Sequence, residues 1–119
     1  MTLEELYREI GGNYQEIIER LRTEERVSKF VLLFLKDTSY QTLLGAVEQK
    51  NAEEAFRAVH TLKGVCMNLN FDSLYQISSE ITEYLRGGDH GRALQAFPKL
   101  EECYEEHCRA IRKYAEALN

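Results

Sequence analysis

Proline occurs once in the 119 residues, and no stretch alternates β-branched with polar residues as a half-buried strand would. The missing alternation argues against a sheet-built protein, and the scarcity of proline leaves helices uninterrupted. The residues that dominate instead, Glu, Leu, Ala, Arg and Lys, are strong helix formers and predict an all-α fold. A basic excess is also missing: 15 Lys and Arg face 20 Asp and Glu, for a net charge of −5 and a pI near 5.3. Nucleic acid phosphates require a basic footprint, so no nucleic-acid partner is expected. The longest apolar run, Phe30 to Leu35, is far short of the roughly 20 residues a bilayer requires, and the acidic start Thr2-Leu3-Glu4-Glu5 is unlike a signal peptide. A soluble, cytoplasmic protein without membrane contacts is the expectation. Cysteine is sparse and odd in number, at three, which without a secretion signal predicts free thiols in a reducing compartment. Cys66 lies on an apolar stripe, where a thiol packs as a small hydrophobe. Cys103, His107 and Cys108 share a helix but lack the four ligands and paired spacings of structural zinc, so no metal is expected.

Enzyme signatures are absent as well. There is neither G-x-x-x-x-G-K-[ST] nor G-x-G-x-x-G, so nothing points to ATP or a dinucleotide. A di-iron bundle needs Glu-x-x-His pairs, and the residues three before His60, His90 and His107 are Arg57, Gly87 and Tyr104. No serine or cysteine stands in order with a histidine for acyl transfer.

What is present is amphipathic periodicity, broken at short intervals. At 44% hydrophobic the chain fits one compact domain over residues 1–119, able to bury about two-thirds of its unfolded surface. Thr2 with Glu5 forms a capping-box pattern that opens a helix ended by Gly11-Gly12. A second short helix carries Tyr14, Ile17, Ile18 and Leu21. Thr23 followed by Glu24-Glu25 starts a third, whose inward stripe is Val27, Phe30, Val31 and Phe34. Asp37-Thr38-Ser39 interrupts it, and the helix resumes through Leu43, Leu44 and Val47 to about Lys50. Asn51 with Glu54 caps the next, which runs to Leu69 with Ala52, Ala55, Val59, Leu62, Cys66 and Leu69 inward. Leu74, Ile77, Ile81 and Leu85 line another, stopped by Gly87-Gly88, and Asp89 caps a long last helix. There Phe97, Leu100, Tyr104, Cys108, Ile111, Ala115 and Leu118 keep the period, with Pro98 breaking or starting a segment. Short loops favour antiparallel neighbours, which predicts an up-down-up-down four-helix bundle over about 24–118 with an N-terminal helical extension over 1–22.

On the Asn51–Leu69 helix, His60 points away from the apolar stripe and is expected to face solvent. Imidazole is a nitrogen nucleophile that titrates near neutrality, so it can attack phosphorus. Lys63 and Gly64, three and four residues on, are its neighbours on the next turn. Lys63 supplies a cation that can offset phosphoryl charge. Gly64 weakens the helix by roughly 1 kcal/mol relative to alanine, a cost that access to the ring would offset. Phe56 and Met67 border the same face as an apolar collar suited to docking.

The segment Ala58-Val59-His60-Thr61-Leu62-Lys63-Gly64, followed by Asn68-Leu69, Leu74, Ile77, Ile81 and Leu85-Arg86-Gly87-Gly88-Asp89, resembles histidine-containing phosphotransfer domains. The likeness runs from about Phe30 to the C-terminus. Two departures are Asn70, where the family often has glycine, and Met67, where it often has a small residue. Asparagine tolerates the left-handed conformation, so Asn70 can still end the helix. Met67 adds bulk near the reactive ring. The resemblance implies a phosphorelay protein of two-component signal transduction: His60 would accept a phosphoryl group from an aspartate of a receiver domain, using that domain's own Mg²⁺, and return it to another. Receiver domains or a hybrid histidine kinase are the implied partners. The chain would be a monomeric phosphoprotein with no cofactor of its own, and a carrier, not an enzyme. Family spacing also sets Ser78 and Thr82 opposite His60, where one could orient the imidazole through its second nitrogen. The alternative is a helical adaptor that keeps the bundle and binds a receiver or kinase without being phosphorylated.

Overall fold

The computed structural model describes residues 1–118. It is helical throughout, and the described residues contain no strand. Seven α-helices follow in order: α1 (Leu3–Ile10), α2 (Tyr14–Leu21), α3 (Glu24–Leu33), α4 (Ser39–Glu48), α5 (Ala52–Leu69), α6 (Asp72–Arg86) and α7 (His90–Ala117), with one 3₁₀ turn, Phe34–Lys36, between α3 and α4. The local signals act where expected. Thr2 and Glu5 form the reciprocal capping box of α1, and Thr23 Oγ1, Asn51 Oδ1 and Asp89 Oδ1 accept the first-turn amides of α3, α5 and α7. Asn70 ends α5 in the left-handed conformation at φ 56°.

Helices α4 to α7 pack as consecutive antiparallel neighbours. Phe56 near the start of α5 meets Arg86 at the end of α6, and Ser73 at the start of α6 meets Cys103 well along α7. Stacked Tyr40 and Tyr104, ring centroids 4.0 Å apart, close α4 onto α7. The N-terminal helices are part of the same core: Leu6, Tyr7 and Ile17 are fully buried. They cover the bundle end at the α5–α6 turn. Tyr7 Oη donates to the Leu69 carbonyl at 2.8 Å, and the Asn13 amide donates to the Asn70 carbonyl at 2.9 Å. Gly12 permits this approach, because a Cβ there would stand 2.7 Å from the Tyr7 ring and 2.9 Å from the Asn70 carbonyl.

Four expectations are corrected. Pro98 neither breaks nor starts a helix: α7 runs through it for 28 residues. The bond it removes, to the Leu94 carbonyl, lies where both residues are exposed, so the loss falls on the wet side of the helix. Phe30 is 46% exposed, because α3 turns Val27 and Val31 inward and Phe30 lies about 100° from Val31. Ala52 is exposed at the mouth of the bundle, and Ala58 takes a place in the core instead. Leu118 is exposed too, since the buried stripe of α7 ends at Tyr114.

Candidate functional site

Helix α5 buries Ala55, Ala58, Val59, Leu62, Cys66 and Leu69, and this inward face fixes the outward one. His60 is exposed on it. The only aromatic partner of its ring among the described residues is Phe56 one turn earlier, nearly parallel at 7° with centroids 5.9 Å apart. Phe56 is half-buried, and the Arg86 guanidinium sits 5.1 Å from its centroid, within cation–π range. Glu83 holds Arg86 from the same helix, Oε2 to Nε 3.3 Å. A row from α6 to α5, Arg86 to Phe56 to His60, thus sets the ring's surroundings. Arg86 appears in the sequence only as part of the turn motif; its reach across to Phe56 depends on the register of α5 on α6.

Lys63 is half-buried, more enclosed than its place on the outer face predicts, and forms no ion pair among the described residues. Its ammonium is thus free to pair with an added anion. Gly64 changes the access argument. A Cβ built on it meets nothing within 4 Å, so a methyl there does not touch the His60 ring in the free protein. The space Gly64 keeps open is outside the molecule, where a partner would come. Met67 is 56% exposed. Its bulk therefore projects into solvent.

Ser78 and Thr82 are both fully buried. Thr82 Oγ1 donates to the Ser78 carbonyl of its own helix at 2.7 Å, and Ser78 Oγ has no partner. Neither hydroxyl is brought to the His60 ring. The family's spacing set them on α6 opposite His60, but the rotation of α6 turns both into the core.

A groove between α3 and α5 was not predicted from the sequence. Phe30 and Leu33, 46% and 47% exposed, face Val65 and Asn68 of α5 across a groove of about 330 Å³. The signal was two interleaved apolar stripes on α3, one at Val27 and Val31 and a second at Phe30 and Leu33. The other histidines differ from His60. His90 is the exposed first residue of α7. His107 is 1% exposed, Nδ1 donates to the Cys103 carbonyl at 2.8 Å, and burial holds its pKa down at about 4.

An exposed imidazole on a buried-backed helix, one turn from a lysine and a glycine, is the arrangement the sequence likeness implied, and the Hpt domain family matches residues 3–114. The chain belongs to the Hpt family. The match extends the likeness back through α1 and α2, beyond the Phe30 start of the motif resemblance. No curated protein and no solved structure gives a significant match. Hpt domains serve histidine phosphotransfer in two-component signalling; they are phosphocarriers that work with receiver and kinase proteins. No helix among the described residues is long and apolar enough to cross a membrane.

Proposed function

We propose that this Hpt protein carries a phosphoryl group on His60 between the aspartates of receiver domains. The observation that carries the proposal is the exposed His60 ring on α5 with Lys63 and Gly64 on the following turn. A ring nitrogen attacks the phosphorus of a receiver's aspartyl phosphate in line; the N–P bond forms as the acyl O–P bond breaks, and the carboxylate leaves. The receiver's own Mg²⁺ would supply charge neutralisation at the transferring oxygens, and the reverse reaction loads a second receiver. Such a transfer asks the bundle for alignment and charge stabilisation rather than covalent chemistry. Lys63 supplies the charge. Phe56 supports the ring from one side, replacing the orienting hydroxyl expected from Ser78 or Thr82. Met67, Phe30 and Leu33 provide apolar contact for the receiver, with the flexible thioether adapting to its surface.

Incubation with a phosphorylated receiver and Mg²⁺ tests this directly. The product should be an acid-labile, base-stable phosphate on His60, absent from His60→Gln and unaffected by His90→Gln. Label surviving in His60→Gln would falsify the assignment.

A further inference from the structure

The bundle is closed at one end by α1 and α2 and open at the other. Beside the α4–α5 and α6–α7 turns lies a cavity of about 280 Å³ to which all four bundle helices contribute. Small residues create it: Ala46, Ala55 and Ala93, each at least 94% buried, stand where larger side chains would fill the core, and Ile81 forms its wall on α6. At about 30 Å³ for a water-sized or methylene-sized group, it has room for roughly nine of them.

The polar groups of the lining are few. They are Lys50, Asn51 and His90, and no carboxylate is among them. Lys50 takes part in no ion pair among the described residues. Asn51 uses its side-chain oxygen to cap α5, which leaves its NH₂ as a donor. Nearby acids are engaged elsewhere: Glu53 and Glu54 with Arg57, and Asp89 with Arg92. Glu48, on the last turn of α4, lies outside the lining. The carbonyls that end α4 and α6 at this mouth are also occupied. Gly45, Ala46 and Val47 accept from the amides of Gln49, Asn51 and Lys50, and Glu83, Tyr84 and Leu85 accept from those of Gly87, Asp89 and Gly88. The α5 and α7 caps accept only the Glu54 and Arg92 amides, so earlier first-turn N–H groups stay free. The mouth therefore offers one cation, Lys50, and hydrogen-bond donors above an apolar interior.

We infer that this end of the bundle binds a medium-chain aliphatic carboxylate, its hydrocarbon chain among the alanines and its carboxylate at Lys50. His60 is not among its lining residues.

Titration of the full ¹⁵N-labelled chain with sodium octanoate tests it, with 1-octanol as the neutral probe. Octanoate should give saturable shifts at the amides of Ala46, Ala55 and Ala93 with a Kd below about 1 mM. Lys50→Asn, which removes the charge yet suits the left-handed backbone of residue 50 at φ 56°, should weaken binding roughly fivefold, the scale of one exposed charge contact. Octanol should bind the wild type with a similar deficit. Ala52→Phe, at an exposed lining position, should plug the mouth and abolish the shifts while spectral dispersion is retained; Ala52→Leu is the second plug should the first disturb the fold. Absence of saturable shifts, shifts that persist in a folded plugged variant, or equal binding of octanol and octanoate would each overturn the assignment.

Discussion

His60 is held by geometry that acts through few atoms, and each neighbour makes a separable contribution. Lys63 has no anionic partner to lose among the described residues, so Lys63→Ala should change melting temperature little. It should slow phosphoryl transfer or shorten phosphohistidine lifetime, which a timed decay of label would reveal; unchanged kinetics would remove the charge role. His107 makes a different prediction. Its Nε2 is buried without a partner, and burial lowers its pKa from 6.5 to about 4. The unfolded chain therefore binds a proton first as pH falls. The stability due to neutral His107 is complete above about pH 6.5 and is lost towards pH 4, by about 3 kcal/mol from the linkage of 1.36 kcal/mol per unit. Urea unfolding of wild type and His107→Gln at pH 7 and pH 4.5 checks this: the wild type should lose more stability than the variant. At this scale His60 was legible, since an outward angle on a periodic helix needs no tertiary information. Ser78 and Thr82 were not, because the rotation of α6 about its axis, set by tertiary packing, decides whether a hydroxyl meets the ring or the core.

Among the elements, α5 and the α1–α2 turn carry opposite demands on glycine. Gly64 sits in a helix interior with open space where its Cβ would be, so Gly64→Ala should stabilise the protein by up to about 1 kcal/mol. Transfer should nevertheless slow, because the added methyl lies on the surface a receiver must approach. A stabilised variant that transfers at the normal rate would show that the open surface is not needed. Gly12 is the reverse case. Its Cβ would overlap the Tyr7 ring and the Asn70 carbonyl, and Gly12→Ala should destabilise by about 1–3 kcal/mol, the range for overpacking, read as a lower urea midpoint. Caps and periodicity gave the helix boundaries here because both are encoded within four residues. The continuity of α7 through Pro98 was hidden, since it depends on which side of the helix meets water, and the exposed Phe30 and Leu33 depended on how far α3 rolls against the bundle.

For the molecule as a whole, α1 and α2 brace the C-terminal end of α5 while the opposite face of that helix is left to solvent. Arg20 belongs to this brace: its guanidinium donates to the Asn68 carbonyl at 2.7 Å and to Asn70 Oδ1. The long-range order that seats α1 on the bundle was beyond the sequence, which marked residues 1–22 only as helical. Exposed apolar side chains stand on two helices, Phe30 and Leu33 on α3 beside Val65 and Asn68, and Met67 on α5. If they form the receiver contact, Met67→Ala should weaken receiver binding by about 1 kcal/mol without much change in melting temperature, and Met67→Asp further. Titration calorimetry against one receiver separates these outcomes, and equal affinities would move the contact elsewhere. The central claim is that the chain is a carrier. It is tested most directly by loading the protein from one phosphorylated receiver, removing that receiver, and adding a second, unlabelled one with Mg²⁺. The account predicts label on the wild type that moves to the second receiver's aspartate, and none taken up by His60→Gln. A wild type that binds both receivers yet never takes up label would contradict it and identify a helical adaptor.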